Sequence, residues 1–171
     1  EIQEYLNSLA QTLAKQEQGF AFPLVEVRIH QDQNIQAKRI YAFPGTTIFI
    51  PVSFLNKVEF ENELAAGIAY GLAQVIHRHL AKRLDQMGAE LTEPIVLFGA
   101  GNVFNFDREE RKASIIKATE LLYKSTFDTR GLPSFFQRYS GYLSGEWNED
   151  SEIEKKEVEF NFTEREKLIE F

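Results

Sequence analysis

The feature that most constrains the fold is a run of apolar residues at helical spacing over residues 60–84. Large apolar side chains recur every three or four positions, and alanines lie between them, so that little of the circumference is polar. A helix that is apolar almost all round must be buried by neighbours on several sides. The sequence therefore predicts a long central helix around which the other elements pack.

Shorter periodic segments predict a mainly helical α+β domain with a small β-sheet. Apolar residues three or four positions apart indicate amphipathic helices, and alternating polar and apolar residues indicate strands. Asp107 and Glu110 have the spacing of a capping box at the start of one helix. The predicted segments, besides the central helix, are helices over 2–16, 107–125, 131–139 and 163–171 and strands over 24–30, 39–43 and 47–50.

Two other segments have no regular apolar period. Residues 94–105 are interpreted as a loop or a short helix. Residues 146–159 contain seven acidic residues against two lysines, which indicates a solvated connection. With 171 residues the chain is long enough for one hydrophobic core. We therefore expect a single domain over 1–171, with an acidic connection over 143–160 and a terminal helix over 161–171.

Composition excludes several classes of function. The net charge of −7 argues against a phosphate-binding surface, so nucleic acid is not an expected partner. The chain has no cysteine, which excludes thiol catalysis, disulfides and Cys-ligated zinc. No apolar run approaches the roughly 18 residues of a membrane-spanning helix, so we expect no membrane span in this chain. The first residue is Glu1 rather than Met, which is typical of a processed or trimmed chain.

The central helix carries the flanks of a zinc-binding motif. In His-Glu-x-x-His, two imidazoles one turn apart bind zinc while the glutamate activates the metal-bound water. Residues 61–66 and 78–79 resemble the active-site helix of the gluzincin zinc metallopeptidase family related to HtpX, BepA and the CAAX prenyl proteases. The resemblance places the first metal histidine on Tyr70, the general-base glutamate on Gly71 and the second metal histidine on Gln74. All three family residues are replaced.

Neighbouring segments extend this resemblance over about residues 4–139. Residues 43–50 resemble the family's Pro-Gly-Gly-x-Ile strand, and residues 127–136 resemble its A-G-Y-D-P-x-G-L-x-x-F-F segment. Glu110 falls on the family's third zinc ligand, and Ser114 replaces the family's following aspartate. The resemblance implies a bacterial, zincin-like metallopeptidase fold. The vestigial active-site positions that it implies are Tyr70, Gly71, Gln74 and Glu110.

The remaining candidate ligands have structural explanations. His77 and His79 are two residues apart on the predicted helix, which directs them about 200° apart, so we interpret both as structural or surface residues. Glu110 is explained as the N3 residue of the capping box. Tyr70 is expected to fill the vacated metal pocket and to hydrogen-bond Glu110 or Gln74. We expect zinc to be absent.

These replacements predict a catalytically inactive peptidase homologue. The site lacks its Lewis acid, and Gly71 supplies no base for water. The family resemblance makes an edge strand that binds a peptide or protein partner the expected surviving feature. Its residues are Thr47, Ile48, Phe49 and Ile50. Two alternatives stay open, namely a metal-dependent peptidase with an altered site that includes Glu110, and a structural or assembly protein with a filled cleft. The resemblance favours an exported or periplasmic location.

Overall fold

The computed structural model describes residues 1–17, 24–31, 40–43, 45–87 and 106–142. Within these ranges the chain is mainly helical with a three-stranded sheet, which confirms the predicted α+β class. The predictions for 94–105, 143–160 and 161–171 lie outside the described residues. The elements are α1 (Ile2–Ala14), β1 (Glu26–His30), β2 (Tyr41–Phe43), β3 (Thr47–Pro51), α2 (Val52–Leu55), α3 (Glu61–His77), α4 (His79–Met87), α5 (Arg108–Lys124) and α6 (Gly131–Tyr142).

The strand β3 is the centre of the described sheet. It pairs in parallel with β1, where Val27 lies opposite Ile48, and antiparallel with β2, where Ala42 lies opposite Ile48. The prediction that Thr47 to Ile50 form an edge is therefore wrong, because β3 inserts between the two strands that precede it in the chain. The side chain of Ile48 is fully buried.

The helix α3 is the buried centre that the sequence predicts. It contacts α1, β2, β3, α5 and α6, and every residue from Glu63 to Gln74 is buried. It ends earlier than expected, at His77, because Arg78 adopts the left-handed conformation with φ of 56°. The N–H of Arg78 donates to the carbonyls of Gln74 and Val75, and α4 begins at the next residue. The predicted single helix is thus two helices.

Two glycines one turn apart allow α3 to lie close to the sheet. A Cβ atom at Gly67 would lie 2.9 Å from Ile40 Cδ1, and one at Gly71 would lie 2.7 Å from Ile48 Cγ2. A glycine within a helix costs about 1 kcal/mol of stability relative to alanine. The close approach of α3 to β3 accounts for a residue that helix propensity disfavours.

The helices α5 and α6 cover the other sides of α3. The capping box is confirmed: Asp107 Oδ1 accepts the N–H of Glu110 at 2.9 Å, and Glu110 Oε2 accepts the N–H of Asp107 at 2.9 Å. Gly131 begins α6 directly against the backbone of Asn62, where a side chain would overlap the Asn62 carbonyl. Among the described helices, none is long and apolar enough to cross a membrane.

Candidate functional site

Tyr70, on the position of the first metal histidine, is packed in an aromatic cluster. Its side chain is buried, and its ring meets Phe136 edge to face with centroids 5.1 Å apart. Phe135 lies on the same side, with its ring centroid 6.1 Å from that of Tyr70. Both phenylalanines belong to α6, so this helix covers the side of α3 on which a first metal ligand would stand.

Gly71, on the position of the general base, faces the sheet. A Cβ atom at this residue would lie 2.7 Å from Ile48 Cγ2 and 3.3 Å from Ile40 Cγ2. Contacts shorter than ordinary van der Waals distance leave no space for even one methyl group unless the neighbours move. A glutamate here would overlap the side chains of Ile48 and Ile40. The position that the resemblance aligns with the catalytic base therefore packs against Ile48 and Ile40.

Gln74, on the position of the second metal histidine, forms a hydrogen bond with the sheet. Its side-chain oxygen Oε1 accepts the backbone N–H of Ala42 at 3.3 Å, and the residue is buried. The Gln74 amide thus satisfies the backbone N–H of Ala42 in β2. The predicted bond from Tyr70 to Gln74 or Glu110 is wrong, since the described partners of these two residues do not include Tyr70.

Glu110, on the position of the third ligand, is held by two kinds of contact. Besides closing the capping box, its Oε2 lies 2.5 Å from Arg83 Nη2, and its Oε1 lies 3.9 Å from His79 Nδ1. The structural explanation of Glu110 is confirmed. The ion pair with Arg83 was not predicted, because it forms only when α4 starts afresh after Arg78 and lies against α5.

The prediction that His77 and His79 point apart is wrong. Their rings stack with centroids 5.2 Å apart. The left-handed backbone at Arg78 interrupts the helix between them, so both side chains lie on the same side of the chain. His77 Nε2 donates to the carbonyl oxygen of Ala113 at 3.2 Å. The Ser114 hydroxyl donates to the carbonyl of Glu110, so it accepts from His79 Nε2–H at 3.1 Å.

Burial governs the protonation of this histidine pair. It lowers the pKa of His77, and the bond to the Ala113 carbonyl opposes that shift in part. Burial also lowers the pKa of His79, where the neighbouring His77 adds to the decrease and Glu110 opposes it. Both imidazoles are therefore neutral at pH 7, and each donates its single N–H from Nε2.

Three amide side chains of α1 cover the outer edge of β1. Asn7 Oδ1 accepts the N–H of Val27 at 2.8 Å, Gln11 Nε2 donates to the carbonyl of Val25 at 2.9 Å, and Gln3 Nε2 donates to the carbonyl of Val27. Sequence reasoning missed these residues, although their four-residue spacing places them on one helix face. Gln74 of α3 accepts the N–H of Ala42 in β2 in the same way, so helix side chains bond to both outer edges of the described sheet.

The donor set at the aligned positions does not fit zinc. A buried phenol and an amide already bonded to the backbone stand at the two positions aligned with the histidine ligands, and neither is an ordinary zinc ligand. Within the part of the chain that the structure describes, no group of three or more histidine or acidic side chains is placed to hold a metal ion.

Comparison with known proteins relates the chain to a peptidase. No family model matches it. A curated protein of Vibrio cholerae serotype O1, named "Putative beta-barrel assembly-enhancing protease", is 24% identical over 161 residues, which cover 80% of this chain and 32% of that protein. The chain spans about a third of the length of this relative. The similarity agrees with the peptidase relationship that the sequence predicts.

Proposed function

We propose that this chain is a pseudopeptidase, a zincin-like domain that has lost peptide hydrolysis and acts by binding a protein partner. The observation that carries the proposal is the packing at Gly71. The position aligned with the general base of the family lies against Ile48 and Ile40 with no space for a side chain. A hydrolytic centre needs an open position for water and substrate beside its base, and this one is filled by the core.

The chemistry of the other aligned residues supports the same conclusion. A phenol such as Tyr70 and an amide such as Gln74 are hydrogen-bonding groups rather than bases, and neither takes a proton from water. Glu110 supplies the only carboxylate of the aligned set, and Arg83 and the amide of Asp107 hold it. None of these groups stands ready to activate a water molecule.

The structure favours partner binding away from the vestigial cleft. Addition of an extended peptide to a sheet requires an edge with free backbone groups. The side chain of Ile48 is buried, β3 is paired on both sides, and amide side chains engage β1 and β2. We therefore place the partner on the outer surface, as in the assembly role considered from the sequence. The relative is named for enhancing β-barrel assembly, which makes a protein partner the expected setting.

The alternative of a rebuilt metal site has less support. It would need Glu110 and a histidine from elsewhere to share one ion with water, and His79 Nδ1 lies 3.9 Å from Glu110 Oε1, with the His77 ring stacked on that of His79. The Nε2 atoms of the two histidines lie at Ala113 and Ser114, and Glu110 pairs with Arg83. Each of these groups would have to give up a hydrogen bond inside the fold before it could bind a metal.

Proteolysis of casein and of a mixed peptide library, with and without added zinc, tests the proposal. We expect no cleavage that a chelator abolishes. The matched control is Glu110→Gln, which keeps the shape of the side chain and removes its charge. Chelator-sensitive cleavage by the natural chain that Glu110→Gln eliminates would show an active metal centre and would refute the proposal.

A further inference from the structure

The helix α4 is attached to the fold by few buried side chains. Among its described side chains, only those of His79 and Leu80 are buried, and residues 81–86 are half-buried or exposed. An element with little buried surface opens at a lower free energy than the core of the same fold. By contrast, every residue of α3 from Glu63 to Gln74 is buried. The helix α4 can therefore open while α3 stays folded.

Arg78 forms the joint between α3 and α4. Its backbone is left-handed, with φ of 56°, and α3 ends there. The N–H of Lys82 donates to the Arg78 carbonyl at 2.9 Å, in the first turn of α4. Residues at the ends of helices commonly act as hinges, because they absorb the backbone change that a rotation needs. A rotation at Arg78 would move α4 without unwinding α3.

Two side chains of α4, His79 and Arg83, anchor it to the start of α5. His79 Nε2–H donates to the Ser114 hydroxyl at 3.1 Å, and its ring centroid lies 5.4 Å from that of Phe106. Arg83 Nη2 lies 2.5 Å from Glu110 Oε2, and its guanidinium carbon lies 5.3 Å from the centroid of Phe106. One of the two anchors is thus a histidine, whose charge changes near neutral pH.

The anchoring histidine stacks on a second histidine across the joint. The rings of His77 and His79 have centroids 5.2 Å apart and an interplanar angle of 28°. Two imidazolium rings in this arrangement would repel each other, because water screens charges poorly at a partly buried site. Burial lowers the pKa of His79, and the neighbouring His77 is the next cause of that decrease. The docked arrangement therefore favours two neutral rings.

The surrounding charges do not compensate for a doubly protonated pair. After burial, the charges of Lys117 and Lys82 lower the pKa of His77, and Glu17 opposes them. The strand β2, which α4 also contacts, has no acidic or basic residue. Both carboxylates near the pair already form an ion pair with a cation. The described charged groups around the pair are Lys82 and Arg83 on α4, Glu110 and Lys117 on α5, and Glu17 after α1.

We propose that α4 is a pH-sensitive element that turns away from α5 about Arg78 when His77 and His79 become protonated. At about pH 5.5, an exposed histidine is protonated about ten times more often than it is neutral. Each histidine that stays neutral in the docked state therefore favours the open state about ten-fold at that pH. Opening would expose Leu80, Phe106 and Ser114, which are buried in the docked state. This change of surface does not depend on whether the chain hydrolyses peptides.

Amide hydrogen exchange, measured by mass spectrometry on the full chain, tests the proposal without any variant. The chain is compared at about pH 7.5, 6.5 and 5.5, with exchange times scaled to the intrinsic rate at each pH. We expect the opening of α4 to increase about ten-fold or more over this range, while α3 and α5 keep their protection. Equal increases in all three helices would indicate global unfolding and would overturn the proposal. An α4 that is equally protected, or equally unprotected, at all three pH values would also overturn it.

The number of protons that opening takes up assigns the effect to the histidine pair. Below pH 6.5, the opening of α4 should take up about two protons in the natural chain, about one in His77→Gln and none in His77→Gln, His79→Gln. Glutamine retains an N–H donor for the partners of both imidazoles. The matched control is His30→Gln on β1, which should leave the number at about two. A double variant that opens with the same pH dependence as the natural chain would overturn the proposal.

Discussion

The change Gly71→Ala tests the packing of α3 on the sheet with a single methyl group. In an ordinary helix this substitution stabilises by about 1 kcal/mol. Here the new Cβ would lie 2.7 Å from Ile48 Cγ2 and must separate from it by about 0.7 Å to reach the 3.4 Å of ordinary contact. Overfilling a packed core costs about 1–3 kcal/mol. We therefore expect a net loss of about 1 kcal/mol.

Urea unfolding followed by far-UV circular dichroism measures this loss, and thermal unfolding should show a fall in Tm of about 3 °C. The pair Lys112→Ala and Lys112→Gly, at an exposed position of α5, gives the helix-propensity difference between the two residues in this protein. Subtracting that difference isolates the cost of contact at Gly71.

A double-mutant cycle assigns the cost to its partner. Ile48→Ala alone should lose about 3 kcal/mol, because it leaves a cavity at a fully buried position. In the Gly71→Ala background it should lose about 1 kcal/mol less, since the new methyl group occupies part of that cavity. A Gly71→Ala chain that is more stable than the natural one, with additive effects in the cycle, would refute the close contact between α3 and β3.

Three further predictions concern stability. Gly131→Ala should lose about 3 kcal/mol in urea unfolding, because the methyl group meets backbone rather than a movable side chain, and a loss below about 1 kcal/mol would contradict this packing. Because the pKa values of His77 and His79 are lowered in the fold, the unfolded chain binds more protons than the folded chain below the ordinary value of 6.5. The free energy of unfolding should therefore be complete above that pH and fall as pH drops through it. A His77→Asn, His79→Gln chain should show a flatter dependence of this free energy on pH. Asn7→Ala leaves the N–H of Val27 without its acceptor and should cost about 1–2 kcal/mol, whereas Asn7→Asp, which keeps an acceptor, should cost less.

The parts of the fold that local patterns determine could be predicted from the sequence. The apolar run of α3 requires burial whatever its neighbours are, and the Asp107–Glu110 spacing specifies a cap within four residues of chain. The positions 70, 71 and 74 fall in the buried part of the same helix, as the apolar period of the sequence predicts, and the replacement of a zinc motif there stays a prediction.

The parts of the fold that depend on distant contacts could not be predicted from the sequence. The insertion of β3 between β1 and β2 is decided by pairing across the sheet, and Thr47 to Ile50 alternate in the same way at an edge or at the centre. The helix ends at Arg78 without the glycine or asparagine that usually indicates such an end in a sequence. The stacking of His77 on His79 and the pairing of Glu110 with Arg83 both depend on that break.

The metal content of the natively purified chain tests the central claim most directly. Mass spectrometry of the protein, purified without chelators at neutral pH in zinc-containing buffer, gives the number of zinc ions per chain. We predict a content far below one, unchanged by Glu110→Gln. A content of about one zinc per chain, lost in Glu110→Gln, would show that a ligand set still forms and would contradict the account of a filled, non-hydrolytic centre.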